Sequence, residues 1–237
     1  MKAIQVFEPK KVELVEIDDP ICQPEDVKIK IEAVGICGTD IEIINGDMAY
    51  YSSGMAEYPI VLGHEWCGTI IERGSQANEK IKIGDRVVGE VSLGCRRCST
   101  CREGNYHRCN NRVETGVMNK NGGLAEYIVM PSHAVHVISH KINVLSAALV
   151  EPTAIAYNAV KLGEVSSNTN VAIIGDGPIG LLLLQVALAV GAKKTVLIGV
   201  DEKKMRLAAK LGAFHILNGM DKNLEKRAAD IFDGSGA

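Results

Sequence analysis

Aromatic side chains are scarce in this chain: among 237 residues there are one Trp, three Phe and six Tyr. Positive charge is not in excess either, since the formal net charge is −3 at pH 7. Scarce aromatics and a mildly acidic balance exclude nucleic acid or an anionic membrane surface as the main partner. No segment approaches the roughly 18 uninterrupted apolar residues of a membrane helix. The most apolar stretch, Ile179 to Val190, is well short of that. The opening Met1-Lys2-Ala3-Ile4-Gln5-Val6-Phe7-Glu8-Pro9 lacks the apolar core of a signal peptide. Internal repeats and low-complexity tracts are absent. The expectation is a soluble, cytoplasmic protein. In that compartment its seven cysteines stay reduced, and four of them crowd between Cys95 and Cys109. Clustered thiols of this kind point to metal.

Local patterning changes character near residue 143. Before it, Lys2–Phe7, Val12–Ile17, Val27–Val34, Glu65–Glu72, Arg86–Val91, Ala125–Met130 and Ala134–Ile138 are short, β-branched and partly alternating. Pro9, Pro20 and Pro24 punctuate them, so they are expected to be strands joined by turns. After it, an alanine-rich helix is expected over Leu145–Leu162, then a polar linker. Strands over Val171–Ile174, Thr195–Ile198 and Phe214–Leu217 then alternate with helices from Pro178, over Glu202–Leu211 and over Asp221–Phe232. That alternation predicts right-handed βαβ units and a parallel sheet. The fold class is therefore two-domain α+β, a mainly-β domain over 1–150 followed by an α/β domain over 151–237.

Cys95, Cys98, Cys101 and Cys109 have the spacing C-x2-C-x2-C-x7-C. Two-residue gaps let neighbouring sulfurs converge on one ion, and the longer gap supplies the fourth corner of a tetrahedron. Four thiolates give zinc a net charge near −2, which Arg96, Arg97, Arg102 and Arg108 offset. With no open position this zinc is structural. Cys37, His64 and Glu65, by contrast, are a soft, a borderline and a hard ligand. Three protein ligands leave a fourth position for water or substrate, the catalytic arrangement. Glu151 is a further carboxylate partner. Cys22 and Cys67 lack such company and are expected to be structural. Ile43, Tyr50, Tyr51 and Tyr58 either line a pocket or pack the core.

Gly35-Ile36-Cys37-Gly38-Thr39-Asp40 with Gly63-His64-Glu65 resembles the zinc-dependent medium-chain alcohol dehydrogenases. Gly84-Asp85-Arg86-Val87, the four-cysteine lobe and Gly122-Gly123-Leu124-Ala125-Glu126-Tyr127 extend the resemblance in the same order, over essentially the whole chain. Glu151-Pro152 is similar to the sorbitol (polyol) and threonine dehydrogenase branch. The resemblance implies a GroES-like catalytic domain followed by a Rossmann domain, with one catalytic and one structural zinc. It implies Cys37 and His64 as ligands, with Glu65 and Glu151 as carboxylate candidates. Both carboxylates bound directly would leave zinc a weaker Lewis acid, so one is expected to act through water, or the two to exchange. Thr39 matches a hydroxyl that relays the alcohol proton outward. Asp40 matches a carboxylate that fixes the tautomer of the ligand histidine, or else serves as a turn or cap residue. The implied reaction moves a hydride from a secondary alcohol, a polyol or an amino alcohol such as threonine, to a nicotinamide cofactor.

Gly175-Asp176-Gly177-Pro178-Ile179-Gly180 is a G-x-G-x-x-G turn between an apolar strand and an apolar helix, the context that motif needs. Its glycines let backbone approach a pyrophosphate, the helix N-terminus attracts the charge, and Pro178 suits the first helical turn. The acid expected to hold the adenosine ribose is displaced. Counting back from Leu211-Gly212-Ala213 puts Gly199 there, with Asp201 two residues on. Lys203 and Lys204 favour a 2′-phosphate while Asp201 and Glu202 oppose one, so NAD and NADP both stay open. The chain stops where the family enters its fourth Rossmann strand, so a C-terminally truncated dehydrogenase with the first three parallel strands is expected. In the full-length family a homo-oligomer is implied. The alternative is a non-catalytic zinc-binding fragment serving in binding or assembly. Intact Thr39, Asp40, Glu151 and glycine turn favour the dehydrogenase.

Overall fold

β-Branched residues alternating with polar ones make the first two-thirds of the chain a set of short strands that pair across long sequence separations. The computed structural model describes residues 1–234 and 236–237. These divide into two compact units, Met1–Glu151 and Pro152–Ala237.

In the first unit the order is β1 (Lys2–Glu8), β2 (Lys11–Glu16), β3 (Asp26–Val34), α1 (Gly38–Asn45), α2 (Ala49–Ser52), β4 (Ile60–Val61) and β5 (Trp66–Arg73). There follow β6 (Arg86–Gly89), β7 (Ser92–Leu93), α3 (Ser99–Arg102), β8 (Val113–Thr115), β9 (Asn119–Lys120), β10 (Tyr127–Pro131), β11 (Val135–Val137) and α4 (Val144–Ala148). The central sheet is antiparallel, in the order β10-β3-β5-β6-β11. Its inward residues, among them Val27, Ile29, Trp66, Ile70, Val87 and Met130, form one apolar cluster. Each such side chain taken from water contributes about 1.5–3 kcal/mol. Two register shifts interrupt the β3–β5 ladder, yet Val34 still pairs with Trp66 at its end. That end brings Gly35 beside Glu65, with the Gly35 N–H donating to the Glu65 carbonyl at 2.7 Å. Ala147 and Ala148 of α4 pack with Cys67 and Val88, where small side chains allow close approach to the sheet.

The elements after α5 (Val150–Leu162) are β12 (Asn170–Ile174), α6 (Pro178–Ala189), β13 (Lys194–Gly199), α7 (Glu202–Lys210), β14 (His215–Asn218) and α8 (Leu224–Ile231). The three strands are parallel, in the order β12-β13-β14, as the βαβ pattern requires. Leu181 and Leu184 of α6 pack with Ile173 of β12 and Leu197 of β13 to form this unit's core. The fold is thus a GroES-like β domain with a partial Rossmann sheet. No helix among the described residues is long and apolar enough to cross a membrane.

Several local expectations are corrected. The helix expected over Leu145–Leu162 is two helices, with Leu149 as the C-cap of α4. The strand expected over Arg86–Val91 ends at Gly89, and Ser92 begins a separate sheet. The last helix starts at Leu224 rather than Asp221, because the Asp221 carboxylate accepts from the Asn223 N–H at 2.9 Å and closes a turn first. Helix α1 has no apolar stripe long enough to announce it. It starts because Cys37 is extended at the N-cap (φ −94, ψ 161) and Asp40 reaches back to the Cys37 N–H at 2.8 Å.

Candidate functional site

The β3–β5 pairing decides the first site. Cys37 leaves the end of β3, while His64 and Glu65 immediately precede β5. One ligand atom from each of Cys37, His64 and Glu65 lies within 4.8 Å of the others. Gly63, at φ +91, makes the turn that presents His64, and a Cβ there would meet Val34 Cγ2 at 2.8 Å. Burial pushes the Cys37 thiol up in pKa, while hydrogen bonds from the Thr39 backbone and hydroxyl pull it down. Thr39 is the second residue of α1, two positions after Cys37.

His64 is buried, and its Nδ1 has no hydrogen-bond partner among the described residues. The nearest carboxylate oxygen, Asp40 Oδ1, is 3.7 Å away, beyond hydrogen-bond reach. Asp40 instead accepts the Cys37 N–H at 2.8 Å on Oδ2 and the Gly63 N–H at 3.2 Å on Oδ1. It ties the helix that follows Cys37 to the turn that precedes His64. A thiol, an imidazole with an orphaned buried nitrogen and a carboxylate are a donor set that fits zinc. Glu151, in the first turn of α5, is outside this group of three. It is nonetheless close enough to feel both neighbours. Burial raises its pKa, His64 pulls it down and Glu65 pushes it up again.

The four-cysteine lobe closes on itself. Cys95 and Cys101 sulfurs are 4.0 Å apart and those of Cys98 and Cys109 are 3.8 Å apart, too far for disulfides. Tetrahedral zinc with bonds of about 2.3 Å sets sulfurs about 3.8 Å apart. Backbone N–H groups of Arg97 and Cys98 hold the Cys95 thiol down to about 6, and those of Cys95 and Asn111 lower Cys109. Burial pushes Cys101 up to about 12. Amides thus favour the thiolate at Cys95 and Cys109 while burial opposes it at Cys101, and four sulfurs within 4.8 Å of one another fit a four-coordinate ion.

Tyr51 and Tyr58 donate their hydroxyls to the carbonyls of Val117 and Ile43, at 3.0 and 2.7 Å, and Arg112 donates to the Tyr50 hydroxyl at 3.2 Å. With Ile43 buried beneath them, these residues pack the fold rather than offer free polar groups.

In the second unit, Gly175 (φ +116) turns the chain out of β12, and its N–H donates to the Ile198 carbonyl at 2.8 Å. Gly177 caps α6 and Pro178 is its first residue. A side chain at Gly180 would collide with the Gly175 carbonyl, so helix and turn are in contact. Ile179 is partly exposed beside them. Asp201 is the N-cap of α7, accepting from the Lys203 and Lys204 N–H groups at 2.8 and 3.2 Å, while Lys204 Nζ is 4.0 Å from its Oδ2. Asp176 occupies the variable position of the glycine motif, to which the sequence pattern assigns no role. Its carboxylate accepts the Val200 and Asp201 N–H groups at 2.8 and 2.7 Å. An acid inside the glycine motif, paired with a glycine at the expected acid position, was the signal.

Residues 23–140 match the family model of the alcohol dehydrogenase GroES-like domain, and residues 178–237 match that of the zinc-binding dehydrogenases. The chain belongs to the zinc-dependent alcohol dehydrogenase family. Scyllo-inosose 3-dehydrogenase of Thermotoga maritima is 34% identical, over 98% of this chain and 63% of that protein. L-Threonine 3-dehydrogenase of Vibrio parahaemolyticus is also 34% identical, over 98% of this chain and 66% of that protein. The chain thus spans somewhat less than two-thirds of these relatives. A zinc-binding dehydrogenase from Sinorhizobium meliloti, solved with NADP bound, superposes with a TM-score of 0.84 at 32% identity, over 92% of this chain and 61% of that one. These relatives fit the polyol and threonine dehydrogenase branch of the family.

Proposed function

We propose that this protein is a zinc-dependent oxidoreductase that moves a hydride from a secondary alcohol, a polyol or an amino alcohol such as threonine, to a nicotinamide cofactor. The observation that carries the reading is the convergence of Cys37, His64 and Glu65, three donors that leave a tetrahedral ion one further position. Zinc supplies Lewis acidity that acidifies an alcohol hydroxyl, and oxidised nicotinamide supplies the hydride acceptor. Glu65 is the carboxylate of the ligand set, and Glu151 faces it as the outer carboxylate. Thr39 passes the alcohol proton towards solvent. In sum the alcohol loses one hydride to the cofactor and one proton to solvent and becomes a ketone. Gly175, Gly177, Pro178, Ile179 and Gly180 hold the pyrophosphate, with Asp201 and Lys204 near the adenosine end. Cys95, Cys98, Cys101 and Cys109 hold the structural zinc. Seven free cysteines support a reducing compartment, and hence the cytoplasm.

The test is an oxidation assay on zinc-replete protein of this length, offering polyols and threonine with NAD and NADP in parallel. Formation of reduced nicotinamide that disappears in Cys37→Ser is the expected result. Folded, zinc-loaded protein that turns over none of these substrates overturns the reading for a chain of this length and makes it a zinc-binding remnant of a dehydrogenase.

A further inference from the structure

In doubly wound dinucleotide folds an acid about 20 residues beyond the glycine turn, at the end of the second strand, bonds the adenosine ribose hydroxyls. Here that strand, β13, ends at Gly199, which has no side chain. The next carboxylate along the chain, Asp201, is engaged in capping α7. The place is not empty, however. A Cβ built on Gly199 would lie 2.5 Å from Asp176 Oδ2. The carboxylate that an acid at residue 199 would have projected from the strand arrives instead from the glycine turn.

This carboxylate is held in place. Oδ2 accepts both the Val200 and the Asp201 N–H, and the residue is nearly buried, so rotation is restricted. Those two bonds leave Oδ1 with acceptor capacity for a hydroxyl. The same amides hold the group below the usual carboxylate range, so it is anionic at neutral pH. A ribose 2′-hydroxyl can donate to such a group. A 2′-phosphate would face a fixed like charge at short range, in a setting screened less than open water. Lys203 and Lys204 carry opposing charge nearby, but Lys204 is already shared with Asp201.

We infer that Asp176 is the specificity-determining residue for the adenosine ribose, favouring a dinucleotide with a free 2′-hydroxyl over its 2′-phosphorylated counterpart. This rests on the dinucleotide reading proposed above, and it runs against the cofactor bound to the Sinorhizobium relative. Gly199 is part of the same device: only a residue without a Cβ leaves room for the carboxylate.

The experiment is calorimetric titration of the zinc-replete chain with ADP-ribose and with 2′-phospho-ADP-ribose, which report binding without turnover. Wild type is expected to bind ADP-ribose at least about tenfold more tightly. Asp176→Asn is expected to bring the two within about threefold, mainly by strengthening the phosphorylated ligand. Moving the acid back to the strand, with Asp176→Ala and Gly199→Asp together, is expected to restore the preference. Wild type that binds the phosphorylated ligand equally or better overturns the inference while the dinucleotide site stands. Wild type that binds neither overturns both. Asp176→Asn that weakens both ligands alike and keeps the preference makes Asp176 a purely structural tie, and also overturns it. Should that variant not fold, the wild-type and exchanged-acid measurements decide.

Discussion

Removing the Asp40 carboxylate separates two roles for that residue. If it served only to orient His64, Asp40→Ala would weaken metal binding and leave the metal-free fold nearly unchanged. The structure makes a different demand. Asp40 is 1% exposed, and its two oxygens accept the Cys37 and Gly63 N–H groups. Hydrogen bonds to a charged group contribute about 1.5–3 kcal/mol each. The 2.8 Å bond merits the upper part of that range and the 3.2 Å bond the lower. Asp40→Ala, which leaves both amides unpaired, should therefore cost the first unit about 3–5 kcal/mol. For a unit of this size that is a fall in Tm of about 6–20 °C. Asp40→Asn keeps one acceptor oxygen but turns its NH2 towards the other amide, so it should recover no more than about half. Trp66, the single tryptophan, is buried in this unit's core and reports its unfolding in urea. A loss below about 1 kcal/mol in metal-free Asp40→Ala would refute the reasoning.

On the proposed reading each donor cluster takes one zinc ion, so Cys109→Ser should lower the zinc content from two ions to one and render the lobe between Ser92 and Lys120 sensitive to protease, with the parallel-sheet unit unaffected. Unchanged zinc content by elemental analysis would count against that site. Acid stability of the second unit should depend on Asp176. Amide hydrogen bonds depress its folded pKa, so its contribution is complete above the unfolded pKa and disappears as pH falls through the folded one. Asp176→Asn should flatten the acid limb of β13 hydrogen-exchange protection as pH falls below the ordinary aspartate range of about 4, and an unaltered limb would exclude the contribution.

Features carried by short-range chemistry were legible before any fold was known. The four cysteines lie within a single lobe, and two-residue spacing alone predicts convergence of their sulfurs. Alternating β-branched runs and the glycine turn between β12 and α6 likewise depend on neighbours in sequence, and the parallel order of β12, β13 and β14 follows from the βαβ rule. Boundaries were less secure: the one-residue break at Leu149 and the short helix after Cys37 are set by packing and by a cap, which periodicity does not record.

What only the tertiary structure decided are the contacts across antiparallel strands and between loops. Cys37 meets His64 and Glu65 because β3 ends where β5 begins, a matter of register. Which carboxylate joins the donor group is a matter of distance, and Glu65 is inside it while Glu151 is not. Asp40 occupies the same sequence position in either role, but its oxygens point at backbone amides and stop short of the imidazole. Asp176 fills the space left by Gly199 across two strands. A side chain's partner is fixed by where the backbone returns, and that is a property of the folded chain as a whole.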